Sequence, residues 1–574
     1  CNAACAGLSS PQSTPAAIMD TRPWHRSYGP GVDPSPVFEP LSLPATFRRT
    51  VERFPDNRAL VFMNRTLTWA QLGSEVERAA AGLAGLGVEQ GTRVAVQLPN
   101  IPQTVISFYA ALSLGAEVVM TNPLYTPREL EHQWKDSGCT HAIVSDFGFE
   151  QKIRPERDRF GVQHYVIASI PEYMRFPLKQ LAPLKLRKQD PPLVAKVAPG
   201  AGITSFRDLL SNGRRAPDVV DIDLDAPACL QYTGGTTGPS KGAVLTHRNL
   251  SVNVQQIHGW FTGLELGKEV ILNCLPLFHV FGLSVGMNWA VYSGAAMILM
   301  PNPRDSKALV KNIAKHGVTL FPGVPALFNT LNNYPGISDI DVSSVKYCFS
   351  GSAPMAEDVL RRFEELTGAV IVEGFGMSET SPVTHCNPLG GVRKIGTVGI
   401  PVAETDSRIV DIDTGKTEMP VGEEGELVIR GPQVMAGYWQ RPEETENAIR
   451  DGWMHTGDLA VMDEDGYFSI VGRKKDMIIR GGFKIFPDEV DAVLMSHDSI
   501  LEVATIGVPD GDAGEKVKSF VVLQPGAELD AETLRTWCRE ELAAYKVPKE
   551  VEFLDELPKS SVMKILRREL RERG

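Results

Sequence analysis

The sequence lacks the patterns of several common protein classes. None of its eight cysteines forms a C-x-x-C pair. A zinc site or a disulfide framework is therefore not expected, and we interpret the cysteines as reduced thiols that pack as small hydrophobic residues. There is no long basic run, and 70 Asp and Glu outnumber 58 Lys and Arg, which gives a net charge of −12. An acidic chain of this kind is a poor candidate for binding nucleic acid.

The first 18 residues lack the basic and apolar segments of a secretory signal. They are small and polar, and the sequence from Met19 onward could begin a natural protein. We interpret residues 1–18 as a stretch foreign to the natural protein, such as a tag, a fragment or an upstream reading frame.

Charge is absent from one long internal stretch. No Asp, Glu, Lys or Arg occurs over 270–303, and 282–300 is nearly apolar, so its length alone would permit a transmembrane helix. The segment also contains Ser284 and Asn288, and Ser293-Gly294 is typical of a break. We therefore predict a buried helix followed by a buried strand.

From about residue 44 the chain alternates between helical and strand patterns. This alternation predicts an α/β fold in which helices cover mainly parallel sheets. After about residue 472 the pattern predicts a smaller α+β domain, so we divide the chain into an extended arm (1–40), a large domain (41–472) and a small domain (473–574). The clearest predicted elements are helices at 69–86, 102–114 and 356–366, and strands at 93–98, 117–120, 345–349 and 369–372.

Residues 171–202 interrupt the alternation. They carry six Lys or Arg against two acidic residues, with apolar residues and prolines between them. Basic and apolar groups can share a lipid interface, although the prolines disfavour one long amphipathic helix. A surface insertion and a peripheral membrane contact both remain open.

The strongest local signal is YTGGTTGPSKG at 232–242. Three glycines and three threonines fill its six positions 233–238, and Lys241 follows. Backbone N–H groups, hydroxyls and an ammonium together suit a phosphate-binding loop. The common NTPase loop requires Gly directly before Lys, whereas here Ser240 precedes Lys241. The predicted phosphate-binding residues are Thr233, Gly234, Gly235, Thr236, Thr237, Gly238 and Lys241.

With this loop the chain resembles the acyl-adenylate-forming superfamily, and is most similar to its bacterial long-chain fatty acyl-CoA synthetases. The resemblance covers roughly residue 43 to the C-terminus. It rests on ordered motifs: LPLFHVFG at 275–282, FPGVP at 321–325, FSGSAPM at 349–355, EGFGMSETSP at 373–382, GTVGIP at 396–401, DGWMHTGDLA at 451–460, GRKKDMIIRGGFKI at 472–485 and LPKSSVMKILRREL at 557–570.

The resemblance implies a two-step ligase. A fatty acid is activated by ATP and Mg²⁺ to acyl-AMP with release of pyrophosphate, and coenzyme A then takes the acyl group. The resemblance also implies a small β-rich subdomain in the large domain and a mobile small domain. A cytoplasmic location follows, with the inner face of the membrane as an open addition. Whether the chain forms a homodimer is left open.

Roles at the nucleotide are carried over from the motifs. Lys564, Lys241, Glu379 and Thr233 are implied as catalytic, and Glu379 and Thr233 as Mg²⁺ ligands. Because Glu379 follows a glycine-rich strand end, we expect its side chain to be exposed. Phe375 resembles the adenine-stacking aromatic, and Asp458 and Arg473 resemble the ribose-binding pair. The remaining nucleotide residues are Gly351, Ser352, Ala353, Glu373, Gly374, Gly376, Met377 and Ser378.

The other implied roles concern the acid and coenzyme A. His279, Gly323, Val324 and Gly351 are implied at the carboxylate and acyl entrance, and we do not expect His279 to bind a metal because no second ligand lies at i+3 or i+4. Lys475 matches the hinge between the domains. The small domain is implied to rotate about it and bring Gly481, Gly482 and Phe483 to the nucleotide.

One position departs from the family. The residue before Lys564 is usually Gly, and here it is Met563. Ser378 also replaces the more usual Thr and keeps the hydroxyl. Three alternatives stay open: a ligase for another carboxylic acid, an acyl-AMP ligase that loads a carrier protein, and a non-catalytic relative disabled by Met563. A plain P-loop NTPase is disfavoured by the misplaced Gly.

Overall fold

The computed structural model describes residues 22–213, 220–233, 240–480, 483–510, 514–560 and 564–573. Its helices are α1 (Leu43–Arg53), α2 (Trp69–Gly85), α3 (Pro102–Ser113), α4 (Pro127–Ser137), α5 (Asp146–Gly148), α6 (Leu178–Leu186), α7 (Phe206–Asn212), α8 (His247–Trp260), α9 (Trp289–Ser293), α10 (Ser306–His316), α11 (Pro325–Asn332), α12 (Glu357–Thr367), α13 (Pro442–Ala448), α14 (Pro487–Met495), α15 (Ala531–Glu541) and α16 (Arg567–Arg571).

The strands alternate with these helices. They are β1 (Arg58–Phe62), β2 (Arg65–Thr68), β3 (Arg93–Gln97), β4 (Glu117–Met120), β5 (His141–Ser145), β6 (His164–Ala168), β7 (Ile203–Ser205), β8 (Pro227–Thr233), β9 (Lys241–Thr246), β10 (Val270–Asn273), β11 (Ala296–Leu299), β12 (Leu320–Gly323), β13 (Tyr347–Ser350), β14 (Val370–Gly376), β15 (Val383–Cys386), β16 (Ile400–Pro401), β17 (Asp406–Val410), β18 (Gly425–Arg430), β19 (Gly437–Tyr438), β20 (Ile449–Arg450), β21 (Trp453–Met462), β22 (Phe468–Arg473), β23 (Ile478–Arg480), β24 (Phe483–Ile485), β25 (Ile500–Pro509), β26 (Glu515–Leu523) and β27 (Glu550–Phe553).

Two large sheets form the body of the molecule. One has the order β16-β15-β14-β13-β12-β10-β11-β1-β2, and the other the order β19-β9-β8-β4-β3-β5-β6-β7. The central strands of both pair in parallel, as the alternation predicted. A third, antiparallel sheet of β17, β18, β20, β21 and β22 forms the β-rich subdomain. The predicted α/β class is confirmed.

Local sequence explains where the helices begin and end. The Thr68 hydroxyl caps α2 by accepting from the Gln71 backbone amide, and Gln71 Oε1 accepts from the Thr68 backbone amide. Such a capping box supplies two of the hydrogen bonds that a helix start lacks. In the uncharged segment, a π-helix at Gly282–Asn288 leads directly into α9. Helix α9 ends at Gly294, where φ is +70°, and β11 follows. The predicted buried helix and buried strand are confirmed, and within the described ranges we find no helix long and apolar enough to cross a membrane.

The described residues of the predicted small domain form a hydrophobic core of their own. The described residues from β23 onward read strand, strand, helix, strand, strand, helix, strand, helix. Their core side chains cluster apart from those of the two large sheets, with Ile478, Val490, Val503, Val517 and Leu534 at the centre of one cluster. The exact boundary at 472–473 stays a prediction.

The described cysteines behave as the composition predicted. All are buried and free of disulfides: Cys139, Cys229, Cys274, Cys348, Cys386 and Cys538. Burial raises the pKa of the Cys274 thiol to about 12, so this group is protonated and unreactive at neutral pH.

Candidate active site

The predicted phosphate-binding loop lies between two paired strands. Thr233 ends β8 and Lys241 begins β9, and the two are directly paired in the antiparallel register. The predicted residues Gly234, Gly235, Thr236, Thr237 and Gly238 lie outside the described residues. The Lys241 ammonium lies 5.1 Å from the centre of the Tyr438 ring, an arrangement that suits a cation–π contact.

Glu379 is buried, which corrects the expectation of an exposed carboxylate. It sits on a short 3-10 turn (Ser378–Thr380) after β14, and only 7% of its surface is exposed. Its Oε1 accepts a 2.7 Å hydrogen bond from the Tyr438 hydroxyl, and its carbonyl accepts one of 2.8 Å from the Met435 amide. The segment that ends in β19 therefore folds over the carboxylate. Tyr438 links Lys241 and Glu379, and no motif in the sequence pointed to it.

Burial raises the pKa of the Glu379 carboxyl, an effect that the Tyr438 hydrogen bond and Arg473 partly offset. Burial therefore disfavours the charged form of this carboxyl, and a bound cation would stabilise it. In the part of the chain that the structure describes, no group of three or more His, Cys, Asp or Glu could hold a metal ion. A single carboxylate with spare negative charge fits Mg²⁺, which binds through one or two carboxylates together with substrate phosphates.

Asp458 and Arg473 face each other across the β21–β22 hairpin. They are direct cross-strand partners, and Arg473 Nε lies 2.9 Å from Asp458 Oδ1. Asp458 is only 3% exposed, and burial raises the pKa of its carboxyl against the opposing effects of Arg473, Lys564 and Lys475. Its charge is therefore balanced by three cations that all follow the predicted domain boundary, whereas Asp458 itself precedes it.

Lys564 reaches this pair from the small domain. The residue as a whole is exposed to water, whereas its ammonium group is desolvated by the surrounding protein. Burial and the nearby Arg473 lower the pKa of Lys564 to about 8, and Asp458 acts in the opposite direction. Lys564 also contributes, after burial, to lowering the pKa of His279 to about 4. The charges of Lys564, Asp458 and Arg473 therefore act on one another, and that of Lys564 also acts on His279; the region where these residues meet is called here the cleft. Glu379 borders it, because Arg473 and Asp458 act on its carboxyl, and Tyr438 joins Glu379 to Lys241.

Two hydrogen bonds to Ser560 hold the backbone of Lys564. The Ser560 amide donates to the Lys564 carbonyl at 2.8 Å, and the Lys564 amide donates to Ser560 Oγ at 3.2 Å. After the loop, Arg567 is paired with Asp488 and, at 2.6 Å, with Asp491 on α14. The departure at Met563 lies outside the described residues.

The residues predicted to contact the purine make close backbone contacts. A Cβ on Gly376 would lie 2.0 Å from the Pro382 carbonyl oxygen, and one on Gly374 would lie 2.5 Å from the Phe349 ring. Phe375, between them, is paired with His385 on β15. Ser352 has φ of +74° and leaves an exposed turn with Ala353, next to the buried Gly351. Only small residues allow chain segments to approach this closely.

Several other predicted nucleotide residues, on β14 and in the turn after it, make hydrogen bonds within the protein. Glu373 is buried and accepts from the Met355 amide at 3.1 Å, and burial raises its pKa to about 6. The Met377 amide donates to Thr380 Oγ1 at 3.1 Å, which closes the turn that carries Ser378. Glu373 therefore holds the preceding loop in place rather than facing water.

Among the residues predicted at the acyl entrance, Gly323 and Gly351 are bonded to each other, and His279 lies in a separate turn. The His279 backbone amide donates to the Pro276 carbonyl at 3.0 Å, and His279 Nδ1 accepts from the Phe281 amide at 3.3 Å. Burial keeps His279 neutral at physiological pH, since its pKa is about 4. Gly323 ends β12, Val324 precedes α11 and both are buried, and the Gly351 amide donates to the Gly323 carbonyl at 3.3 Å.

The predicted hinge residue Lys475 borders the cleft, whereas Phe483 of the predicted coenzyme A segment packs within the small domain. Burial and Arg473 lower the pKa of Lys475, whose charge also acts on Asp458, so it borders the cleft. Phe483 is 57% exposed and stacks on Tyr545 with ring centres 4.7 Å apart, inside the small domain. Gly481 and Gly482 lie outside the described residues.

Comparison with known proteins places the chain in a family. Residues 47–439 match the family described as AMP-binding enzyme, and residues 489–564 match the AMP-binding enzyme C-terminal domain. The long-chain-fatty-acid–CoA ligase of Bacillus subtilis (strain 168) is 42% identical over 558 residues, covering 97% of this chain and 98% of the relative.

Solved structures agree with the fold. An anthranilate CoA ligase in complex with anthranoyl-AMP is 27% identical, with a TM-score of 0.82 over 94% of this chain and 98% of that one. ATP-bound MatB from Rhodopseudomonas palustris is 29% identical, with a TM-score of 0.81 over 93% and 99% of the two chains. Because the family models match residues 47–439 and 489–564 and a 42% identical relative covers 97% of the chain, the chain belongs to the AMP-binding enzyme family.

Proposed function

We propose that this protein joins long-chain fatty acids to coenzyme A through an acyl-AMP intermediate, using ATP and Mg²⁺. The observation that carries the proposal is the convergence of Lys564 with Asp458, Arg473 and His279 in the cleft. The name of the 42% identical relative supports the choice of long-chain fatty acid and of coenzyme A.

In the first step, a fatty carboxylate oxygen attacks the α-phosphorus of ATP. A new carboxyl–phosphate bond forms, and the bond from the α-phosphorus to the bridging oxygen breaks, so pyrophosphate leaves. Lys241 and Lys564 would neutralise the charge that develops on the phosphates and on the acyl oxygen. Catalysis then consists of positioning and charge stabilisation, without a covalent protein nucleophile.

Each remaining residue has a proposed place. Phe375 would stack on adenine, Asp458 would accept from the ribose hydroxyls, and Arg473, now paired with Asp458, would contact the same ribose or the phosphate. His279 would line the carboxylate entrance as a neutral ring. Glu379 would hold Mg²⁺ together with Thr233. When bound, Mg²⁺ supplies charge neutralisation between the phosphates.

In the second step, the coenzyme A thiol attacks the acyl carbonyl and AMP leaves. Rotation of the small domain (473–574) about Lys475 would withdraw Lys564 and bring 481–484 to the nucleotide. The described conformation, with Lys564 in the cleft, corresponds to the first step. This division assigns Lys564 to acyl-AMP formation alone.

The proposal is tested with purified protein, ATP, Mg²⁺ and palmitate, with and without coenzyme A. We expect AMP, pyrophosphate and palmitoyl-CoA in equal amounts when coenzyme A is present. Palmitoyl-AMP that passes to a carrier protein and ignores coenzyme A would replace this proposal with the carrier-loading alternative. Absence of turnover that Met563→Gly restores would identify a disabled relative.

Acyl-AMP formation should lose activity at alkaline pH. The ammonium of Lys564 is the useful form, and its pKa of about 8 means that the charge is present below that pH and is lost above it. We therefore predict that kcat/KM for palmitate-dependent ATP–pyrophosphate exchange, which reports the free enzyme, falls as pH rises through about 8. The residual activity of Lys564→Arg should lack this alkaline decline, because a guanidinium stays charged. The same decline in Lys564→Arg would assign it to another group.

We also propose that the protein works in the cytoplasm at the inner face of the membrane. Supply of ATP and coenzyme A and the free, buried cysteines favour a reducing compartment. In the 171–202 insertion, the apolar side chains of Phe176, Leu178, Leu181 and Leu184 are 73%, 38%, 55% and 61% exposed. The exposed basic residues Arg175, Lys179, Lys185, Arg187 and Lys188 surround them.

This apolar and basic surface suits an anionic lipid interface, where each Lys or Arg near the membrane contributes about 1 kcal/mol. We predict that the protein sediments with phosphatidylcholine–phosphatidylglycerol vesicles and less with phosphatidylcholine alone. Changing Phe176, Leu181 and Leu184 to Ser should release it. A matched variant with Ser at the exposed Val392, Val421 and Met495 should bind normally. Equal loss in both variants would contradict a role for the insertion.

A further inference from the structure

In the described part of the N-terminal arm (22–40), residues 22–28 pack against the body of the molecule. A 3-10 helix at Pro23–Ser27 inserts Trp24, which is only 2% exposed. The Trp24 ring meets the Phe468 ring edge to face, with centres 6.2 Å apart. The Trp24 backbone also packs on Gly466, where φ is +83° and a Cβ would lie 2.7 Å from Trp24 Cβ. The arm is therefore fitted to the turn of the β21–β22 hairpin.

A line of rings continues from Trp24 toward the purine side of the cleft. Phe468 meets His385 with centres 4.7 Å apart, and His385 meets Phe375 at 6.0 Å. Phe468 and His385 are fully buried. Burial lowers the pKa of His385 to about 3, so the ring packs without charge at neutral pH. Each ring in this line thus limits where the next can lie.

The arm also holds the hairpin that carries the Asp458–Arg473 pair. Ser27 Oγ donates to the Asp465 carbonyl at 2.9 Å in the turn. Arg22 Nε donates at 2.6 Å to Asp406 Oδ1 on β17, which lies in the same sheet and is separated from β21 by β18. Asp458 and Arg473 are paired at the far end of the same hairpin. The arm is therefore linked to the Asp458–Arg473 pair and to Phe375 by two indirect routes, one through the hairpin and one through the rings.

We propose that Trp24 is a positioning residue for the nucleoside part of ATP, acting through Phe468 and His385 on Phe375. The inference rests on the proposed use of ATP and on the proposed place of adenine at Phe375. It assigns the arm to nucleotide affinity and not to the fatty acid or to the chemical step.

The test compares Trp24→Ala with Trp24→Phe, which keeps an aromatic ring. The loss of one edge-to-face ring pair changes an equilibrium constant that depends on that pair by about threefold to tenfold. We expect Trp24→Ala to raise the dissociation constant and the KM for ATP by that factor, with KM for palmitate and kcat of ATP–pyrophosphate exchange unchanged. Trp24→Phe should restore most of the affinity.

Val37→Ser provides a control on the same arm. The Val37 side chain is 97% exposed and belongs to no ring contact, so ATP affinity should stay unchanged. Phe468→Leu should reproduce the effect of Trp24→Ala, and the double variant should show less than the sum, as expected for coupled residues. Trp24→Leu replaces Trp24→Ala if the latter fails to fold.

Two results would overturn the inference. One is unchanged ATP affinity in a folded Trp24→Ala variant. The other is a proportional rise of KM for ATP and for palmitate, which would indicate general loosening. Calorimetric titration with ATP needs no turnover, so failure of this inference stays distinguishable from failure of the proposed ligase activity in the unaltered protein.

Discussion

Lys564→Ala should abolish acyl-AMP formation and spare thioester formation. In the described conformation the Lys564 ammonium lies in the cleft. Its charge helps to lower the pKa values of Asp458 and His279, and the charge of Arg473 helps to lower the pKa of Lys564 itself. Removing one such charge from a preorganised site costs about 10²–10³ in rate, or 3–4 kcal/mol. Palmitate-dependent ATP–pyrophosphate exchange measures the first step, and conversion of supplied palmitoyl-AMP to palmitoyl-CoA measures the second.

Lys559→Ala is the matched control. Lys559 belongs to the same loop and is also basic, but it pairs with Glu502 inside the small domain. We expect it to retain ATP–pyrophosphate exchange. Equal loss of both steps in Lys564→Ala would contradict the proposed division of labour between the two conformations.

Glu379→Gln should have the second large effect. The amide keeps the size of the side chain and can still accept from Tyr438, but it removes the buried negative charge that fits Mg²⁺. We expect ATP–pyrophosphate exchange to fall about 10²–10³-fold and to need more Mg²⁺. A titration of exchange activity with Mg²⁺ at fixed ATP measures both effects.

Tyr438→Phe separates the charge from its hydrogen bond. It removes the hydroxyl that Glu379 accepts from and leaves the carboxylate in place. One hydrogen bond to a charged group contributes about 1.5–3 kcal/mol, so the loss should be smaller and the Mg²⁺ requirement nearly normal. An unchanged Mg²⁺ requirement in Glu379→Gln would remove this carboxylate from the metal site.

Sequence patterns predicted the body of the fold well because they record local physics. The helix predicted at 69–86 is found at Trp69–Gly85, and the strand at 93–98 is found at Arg93–Gln97. The break at Gly294 follows from a left-handed residue, which glycine adopts easily. These features depend on neighbours in the chain.

Strand ends were less predictable, because pairing with distant segments sets them. The strand predicted at 369–372 extends through Gly376, and the one predicted at 345–349 lies at Tyr347–Ser350. The extension includes glycines that do not favour a strand, yet β15 pairs with it. The adenine-motif residues are therefore held in a strand by a tertiary contact.

The candidate site shows the same limit. Motifs identified Glu379, but its burial depends on a segment more than fifty residues later, and nothing in the local sequence pointed to Tyr438. The arm was predicted as extended, whereas it buries Trp24 against the β21–β22 hairpin. Contacts between segments far apart in sequence leave no periodic signal in either one.

The most direct test of the two-step account is a single turnover without coenzyme A. The protein is mixed with ATP, Mg²⁺ and labelled palmitate, separated from free reactants, and then chased with coenzyme A. We predict that palmitoyl-AMP stays bound after the first step and becomes palmitoyl-CoA in the chase. Label that remains palmitate until coenzyme A is present, or ATP that yields ADP and phosphate, would contradict the account.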